Sequence, residues 1–268
     1  MPQSRGPKRI VVALDTGSLS RVAIETAARL AIGLRAELEA LFVEDVNLRR
    51  LAELPFASEL GNTSAQHRRF DVAELDRAIG VQARQVRRAL EAAARQLPFI
   101  WSLEVVRGDL IAVVLQRTAG ADLLVLGITR RPAYRGAHGE KVMRRLERRV
   151  ARHPIVALFD GSAAAGRVLD AALALERRAH GDLLVAIPAS RPEQFAALRG
   201  QVDALLTARG HGSIGNVCLP DVGIATIAET AKRQRAGAVL LPVTDLARAE
   251  HEFEGLVDEI ACPVVLIR

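Results

Sequence analysis

The chain has 268 residues, half of them hydrophobic but only 3% aromatic, with a formal net charge of +6. That length suits two domains of ordinary size with cores of Leu, Val, Ile and Ala, and no apolar run reaches the roughly 20 residues of a membrane helix. The opening residues hold no apolar segment of the signal-peptide kind, and Cys218 and Cys262 form no paired ligand motif, so a cytoplasmic, reducing setting is expected.

Read by period, the chain alternates strand and helix. Arg9 to Leu14 is a continuous apolar run, as expected of a parallel strand covered on both faces. Asp15-Thr-Gly-Ser then supplies a turn and a helix cap, and Ala23, Ala27, Leu30, Ala31 and Leu34 follow at helical spacing. Glu37 to Val43 returns to a strand. The polar stretch from about Asp45 to Asp71 reads as an irregular loop with at most a helical turn. Ile79, Ala83, Val86, Leu90, Ala93 and Leu97 predict a long amphipathic helix ended by Pro98. Trp101 to Val106 is a strand, Gly108-Asp109 turns the chain into a helix from about Leu110 to Ala119, and Asp122 to Leu126 is a strand closed by Gly127. A last helix carries Val142, Leu146 and Val150 on its inner face.

The pattern then begins again. Pro154 to Phe159 followed by Asp160-Gly-Ser echoes Val11 to Leu14 followed by Asp15-Thr-Gly-Ser. Val168, Ala172, Leu175 and Ala179 repeat the first helix, and Asp182 to Ile187 the second strand. A shorter helix, Pro192 to Ala208, stands where the long one did. Asn216 to Leu219, a helix on Ile224, Ile227, Ala228 and Ala231, Ala238 to Val243, and Pro263 to Ile267 complete the second round. A duplication divides the chain into residues 1–152 and 153–268. The expected fold is α/β, two tandem open, mainly parallel five-stranded sheets with right-handed crossovers and helices on both faces. One strand is short: only Pro154 to Phe159 lies between Val150 and Asp160. The first sheet therefore has four strands, or borrows an edge from its partner.

Val11-Val-Ala-Leu-Asp-Thr-Gly-Ser, Ala121-Asp-Leu-Leu-Val-Leu-Gly, Glu140-Lys-Val-Met, Ala157-Leu-Phe-Asp-Gly-Ser and Ala261-Cys-Pro-Val-Val-Leu-Ile-Arg, in this order and spacing, resemble the universal stress protein family over almost the whole chain. The resemblance implies a Rossmann-like, adenine nucleotide alpha hydrolase-like fold. In ATP-binding members the Asp after the first strand meets the nucleoside, the end of the second strand meets adenine, and a glycine loop after the fourth wraps the phosphates. Such ligands sit at the carboxyl ends of strands where their order reverses, and glycines let backbone N–H groups approach phosphate oxygens. Carried onto this chain, the first copy keeps Asp15, Val43 and Gly127. The second loop glycine falls on Arg130, and Gly136-Ala137 stands where Gly and a hydroxyl residue are expected. The second copy keeps Asp160 but has Pro242 for the first glycine and Glu250-His251 near the last. ATP binding is thus expected to be lost in the second copy; no cofactor is expected overall, and ATP or AMP is left only for a first-copy crevice at Asp15, Val43, Gly127, Arg130 and Gly136.

Charge is uneven: residues 1–152 carry 26 Lys/Arg against 17 Asp/Glu, and residues 153–268 carry 11 against 14. An anionic partner for the first half is one reading; an Arg-rich composition, with 34 Arg among 37 basic residues, is the other. Arg130, Arg131, Arg135, Lys141, Arg144, Arg145, Arg148, Arg149 and Arg152 crowd one loop and helix, as an anion site or as a solvated helix face. Gly210-His-Gly-Ser-Ile-Gly fits the dinucleotide glycine pattern but follows a helix and precedes a strand, so it reads as a connector. His251 among Glu250, Glu252 and Glu254 lacks the face-sharing spacing of metal ligands. No catalytic set and no metal site is nominated. The scarcity of aromatics removes the stacking platforms of single-strand nucleic-acid binders. The leading expectation is a non-enzymatic tandem stress-response protein, gated by a ligand or a protein partner, paired internally as a pseudo-dimer or further as a homodimer. Two alternatives stand beside it: an ATP-dependent hydrolase or transferase, and an interaction module like those attached to transporters.

Overall fold

A computed structural model describes residues 9–15, 20–54, 58–60, 67–69, 72–96, 98–117, 120–127, 153–179, 182–243, 259–260 and 262–268. In chain order these form β1 (Arg9–Leu14), α1 (Ser20–Leu34), β2 (Glu37–Asp45), α2 (Val46–Glu53), β3 (Ser58–Leu60), β4 (His67–Arg69), α3 (Val72–Gln96), β5 (Trp101–Gly108), α4 (Leu110–Arg117) and β6 (Leu123–Gly127). There follow β7 (Ile155–Leu158), α5 (Ala165–Ala179), β8 (Leu183–Pro188), α6 (Pro192–Ala208), β9 (Gly215–Leu219), α7 (Ile224–Arg233), β10 (Ala238–Pro242) and β11 (Val264–Ile267). The last helix of the first half and the Arg130–Arg152 run lie outside the described residues.

One nine-stranded sheet runs β5-β2-β1-β6-β11-β10-β7-β8-β9. The four strands β5, β2, β1 and β6 are mutually parallel, and so are β11, β10, β7, β8 and β9. The two sets meet where β6 pairs antiparallel with β11, Leu126 against Val264 and Leu124 against Leu266. The parallel α/β architecture with helices on both faces is as expected. Among the described residues the first half gives this sheet four strands, and β6 takes its edge partner from the second half, one of the two arrangements expected. The two sets do not stand as separate sheets; β11 serves both, parallel to β10 on one side and antiparallel to β6 on the other.

The inner strands β1, β6, β7, β10 and β11 are buried on both faces, which is why they are unbroken apolar runs, whereas the edge strands β5 and β9 are partly exposed. Alternation along β1 sends Ile10, Val12 and Leu14 to one face and Val11 and Ala13 to the other. The first face is covered by α1, α3, α5 and α6 through Ala27, Leu90, Leu169 and Val202. On the second lie Val114 of α4 and Ile227, Ala228 and Ala231 of α7. Helices α1 and α5 cross over the joint between the strand sets. A Cβ at Gly33 would lie 2.9 Å from the Ala174 Cβ, so a glycine is what lets the two helices approach this closely. Arg209, just past α6, donates its Nε–H to Asp170 of α5 and ties these helices together.

Within 45–71 the described residues form regular elements where a loop was expected. Asp45 ends β2, its Oδ1 accepts the Asn47 N–H at 2.8 Å and starts α2, and β3 and β4 form an antiparallel hairpin. Helix α3 also starts earlier than the apolar period implies. Its first turns are held by Arg49 of α2, which donates to Asp76 at 2.9 Å, and this contact leaves no apolar signature.

Candidate functional site

Strand order reverses between β1 and β6, because β1 continues to β2 and β5 on one side before the chain returns to place β6 on the other. In an open parallel sheet, that is where the carboxyl ends of two strands diverge and leave a crevice. The register sets Leu14 opposite both Phe42 and Gly127. Asp15, Val43 and Gly127, named from the sequence, thus lie together at the carboxyl ends of β1, β2 and β6. Arg130 and Gly136, the other two, lie outside the described residues.

The three residues differ in what they can offer. Asp15 is partly buried at the strand end. Val43 is 1% exposed and belongs to the same buried cluster as Val114 and Leu124, so its side chain is committed to the core. Gly127 has a packing reason of its own. A Cβ there would lie 2.5 Å from the Ala23 Cβ of α1, 2.9 Å from Leu14 Cδ2 and 3.3 Å from the Ala13 carbonyl oxygen. The first two are closer than carbon atoms tolerate, so the glycine is needed for α1 to lie against the sheet, whatever ligand approaches.

Beyond Val43 the rim continues in polar residues that sequence reading passed over. Asn47 donates from Nδ2 to Asp109 Oδ2 at 3.2 Å, and Asp109 Oδ1 accepts the Ala112 N–H at 3.0 Å, capping α4. The signal available was Asp45-Val-Asn, a side chain positioned to accept from the main chain two residues on. In the unbroken polar stretch it read as loop.

The corresponding reversal in the second half lies between β7 and β10. Asp160 Oδ1 accepts the Ser162 N–H at 2.8 Å, and Gly161 takes φ +78°, a turn that favours glycine. Helix α6 closes over this turn: a Cβ at Gly161 would meet Leu198 Cδ2 at 2.9 Å. Pro242 ends β10 opposite Ile267 and has no N–H to offer an anion. Glu250 and His251 lie outside the described residues. Leu198 was not visible as a site residue in the sequence, since it fits the inner face of a helix as well as a lid over a turn.

Among the described residues no group of three or more His, Cys, Asp or Glu side chains could hold a metal ion. Cys262 is buried beside β11, and burial pushes its thiol pKa up to about 12, while Cys218 on the edge strand β9 is exposed. The segment Gly210 to Gly215 joins α6 to β9, as its position after a helix and before a strand implied. Among the described residues no helix is long and apolar enough to cross a membrane.

Comparison with known proteins adds to this geometry. The sequence profile described as "Universal stress protein family" matches residues 6–152. The fold is similar to that of a universal stress protein from Archaeoglobus fulgidus DSM 4304, at TM-score 0.51 and 11% identity, over 97% of this chain and 98% of that one. It is also similar to a putative universal stress protein from Pseudomonas aeruginosa UCBPP-PA14, at TM-score 0.50 and 15% identity, over 98% of this chain and 94% of that one. At such identities the likeness concerns the fold alone. None of the curated proteins compared by sequence matches the chain.

Proposed function

The chain belongs to the universal stress protein family, and from that premise we propose that it is a non-enzymatic, cytoplasmic regulatory protein of the stress response, made of two family-like copies over residues 1–152 and 153–268. The repeated strand order supports the two-copy reading: β5-β2-β1-β6 and β9-β8-β7-β10 follow the same third-second-first-fourth plan.

The observation that carries the regulatory reading is the use made of the glycines at the strand-order reversals. Gly127 is committed to the approach of Ala23, and Gly161 lies under Leu198. In the second half Pro242 stands where a phosphate would need an N–H. In the first half Arg130 and Gly136-Ala137 replace the remaining glycine and hydroxyl of the family's loop. A crevice with a carboxylate at Asp15 but no full phosphate cradle suits gating by a partner or a smaller ligand better than turnover.

Thermal unfolding with and without ATP and Mg²⁺ tests this. The expected result is a shift in midpoint no larger than that given by an inert polyanion. A large, saturable stabilisation by ATP overturns it, since a ligand at about 100 times its Kd stabilises the folded state by roughly 2.7 kcal/mol. A second reading has its own support in the convergence of Asp15, Val43 and Gly127: the first crevice holds ATP or AMP. Saturable stabilisation lost in Asp15→Ala would favour it, and ATP turnover lost in the same variant would move the protein to the hydrolases.

A further inference from the structure

Helix α3 is the longest described helix, and its two faces are unlike. Ile79, Val86 and Leu90 form the buried line against the sheet and α1. Directly opposite, at 100° per residue, Arg77, Val81, Arg84, Arg88 and Arg95 fall within about 60° of one another. All five are exposed, and Val81, 44% exposed, is among the few large apolar residues left open to solvent. The line spans about 27 Å at 1.5 Å per residue.

The stripe is not neutralised from within. Among the described residues, ion pairs join Arg9 to Glu39, Arg29 to Glu25, Arg49 to Glu53 and Asp76, Arg107 to Glu44, Arg199 to Asp203 and Arg209 to Asp170, and none includes Arg77, Arg84, Arg88 or Arg95. Of the two acids at the start of α3, Asp76 is engaged by Arg49 of α2, and Glu74 lies one turn before Arg77, ahead of the stripe. Along the line from Arg77 to Arg95 the acid is Glu91, which leaves an excess of three positive charges. A row of like charges one and two turns apart weakens an isolated helix, so this face costs stability that the buried face must offset.

We propose that this face of α3 docks an acidic amphipathic helix of a partner protein, laid along it with carboxylates at the same i, i+7, i+11, i+18 spacing and an apolar residue over Val81. The match is one of geometry as well as sign. A straight row on a rigid helix meets a second straight row turn for turn, and Arg forks take carboxylates in a bidentate manner. The α3 helix of a second copy is excluded as the occupant, because α3 against α3 sets arginine against arginine. A membrane surface is a poorer fit, since interfacial helices bury an apolar face in lipid and the apolar face of α3 is already buried in the core. Nucleic acid gains only phosphate contacts here, because no aromatic side chain stands among the exposed residues of α3.

The test uses four fluorescent-anisotropy probes against the full chain: a stapled helical peptide with Glu at that spacing and Leu over Val81, the same composition broken by a central Pro, phosphatidylglycerol vesicles, and duplex DNA. The expected order places the stapled helix at least about tenfold tighter than every other probe, with binding weakened by added salt. Arg84→Gln/Arg88→Gln is expected to weaken the stapled helix about tenfold or more, and the uncharged Val81→Asn to weaken it at unchanged salt dependence. All three positions are exposed, and circular dichroism of the variants confirms that the fold is kept. Equal binding of the stapled and broken peptides, tighter binding of vesicles or DNA, no binding at all, or variants that bind as wild type would each overturn the proposal.

Discussion

Adding a Cβ at Gly127 sets it 2.5 Å from the Ala23 Cβ, which α1 carries against the sheet, and 2.9 Å from Leu14 Cδ2. Over-packing of a tight core costs about 1–3 kcal/mol, and Gly127→Ala is expected to cost that much in urea unfolding. Ala23→Gly in the same chain should recover part of the loss, because it removes the nearer atom. A variant that loses ligand binding with unchanged stability would show that Gly127 is kept for a ligand alone. Two arginines carry the opposite kind of strain. Arg35 and Arg235 have φ of 55° and 53° at the ends of α1 and α7, where the Ala36 and Ala236 N–H groups close the last turn on Ala31 and Ala231. A left-handed residue with a side chain costs roughly 1 kcal/mol, so Arg35→Gly and Arg235→Gly should each raise the melting midpoint by about 2–4 °C for a chain of this size. A lower midpoint would mean that the arginine side chains contribute more than their backbone costs.

At the scale of elements, most of the fold was legible because buried parallel strands and amphipathic helices leave strong periods. Pro192 at the first turn and the apolar line Leu198, Val202, Leu206 mark α6 from end to end. The stretch from 45 to 71 was not legible, since α2, β3 and β4 are too short to show a period. The site divides the same way. The places of Asp15, Val43 and Gly127 near strand ends were readable from the apolar runs that lead to them. Asn47, Asp109 and Leu198 were missed because each acts through a neighbour distant in sequence. Helix α7 shows such polar anchoring in a testable form. Asp221 Oδ1 accepts the Gly223 N–H at 2.7 Å and the Thr226 Oγ–H at 2.8 Å, and the hydroxyl first, then the amide, lower its pKa below 3.8. A depressed folded-state pKa gives stability that is full above the unfolded pKa and is lost as pH falls through the folded one. Asp221→Asn should therefore be less stable than wild type at neutral pH, with the difference shrinking below pH 3.8. A difference that stays constant across that range would remove the carboxylate from the account.

For the whole molecule, the shared strand makes a prediction that separate domains would not. Val265 of β11 is 0% exposed and pairs with Leu240 of β10 on one side and Val125 of β6 on the other. Neighbouring strands lie about 4.8 Å apart, so without β11 the edges of β6 and β10 would face each other across about 10 Å, too far to pair. The Gly33–Ala174 contact between α1 and α5 over the same joint adds a second tie. The two halves are therefore expected to unfold together. The only tryptophan, Trp101, reports on this because it lies on β5, at the far edge of the first strand set. Val265→Ala, a truncation in the last strand of the chain, should cost about 1–3 kcal/mol. It should shift the Trp101 fluorescence midpoint in urea by as much as the far-ultraviolet circular dichroism midpoint. Two independent domains predict the reverse, a Trp101 transition that does not move while the dichroism transition splits. Coincident, equally shifted curves would mean that neither half has a stability of its own, and that any partner binding one half stabilises the other through β11.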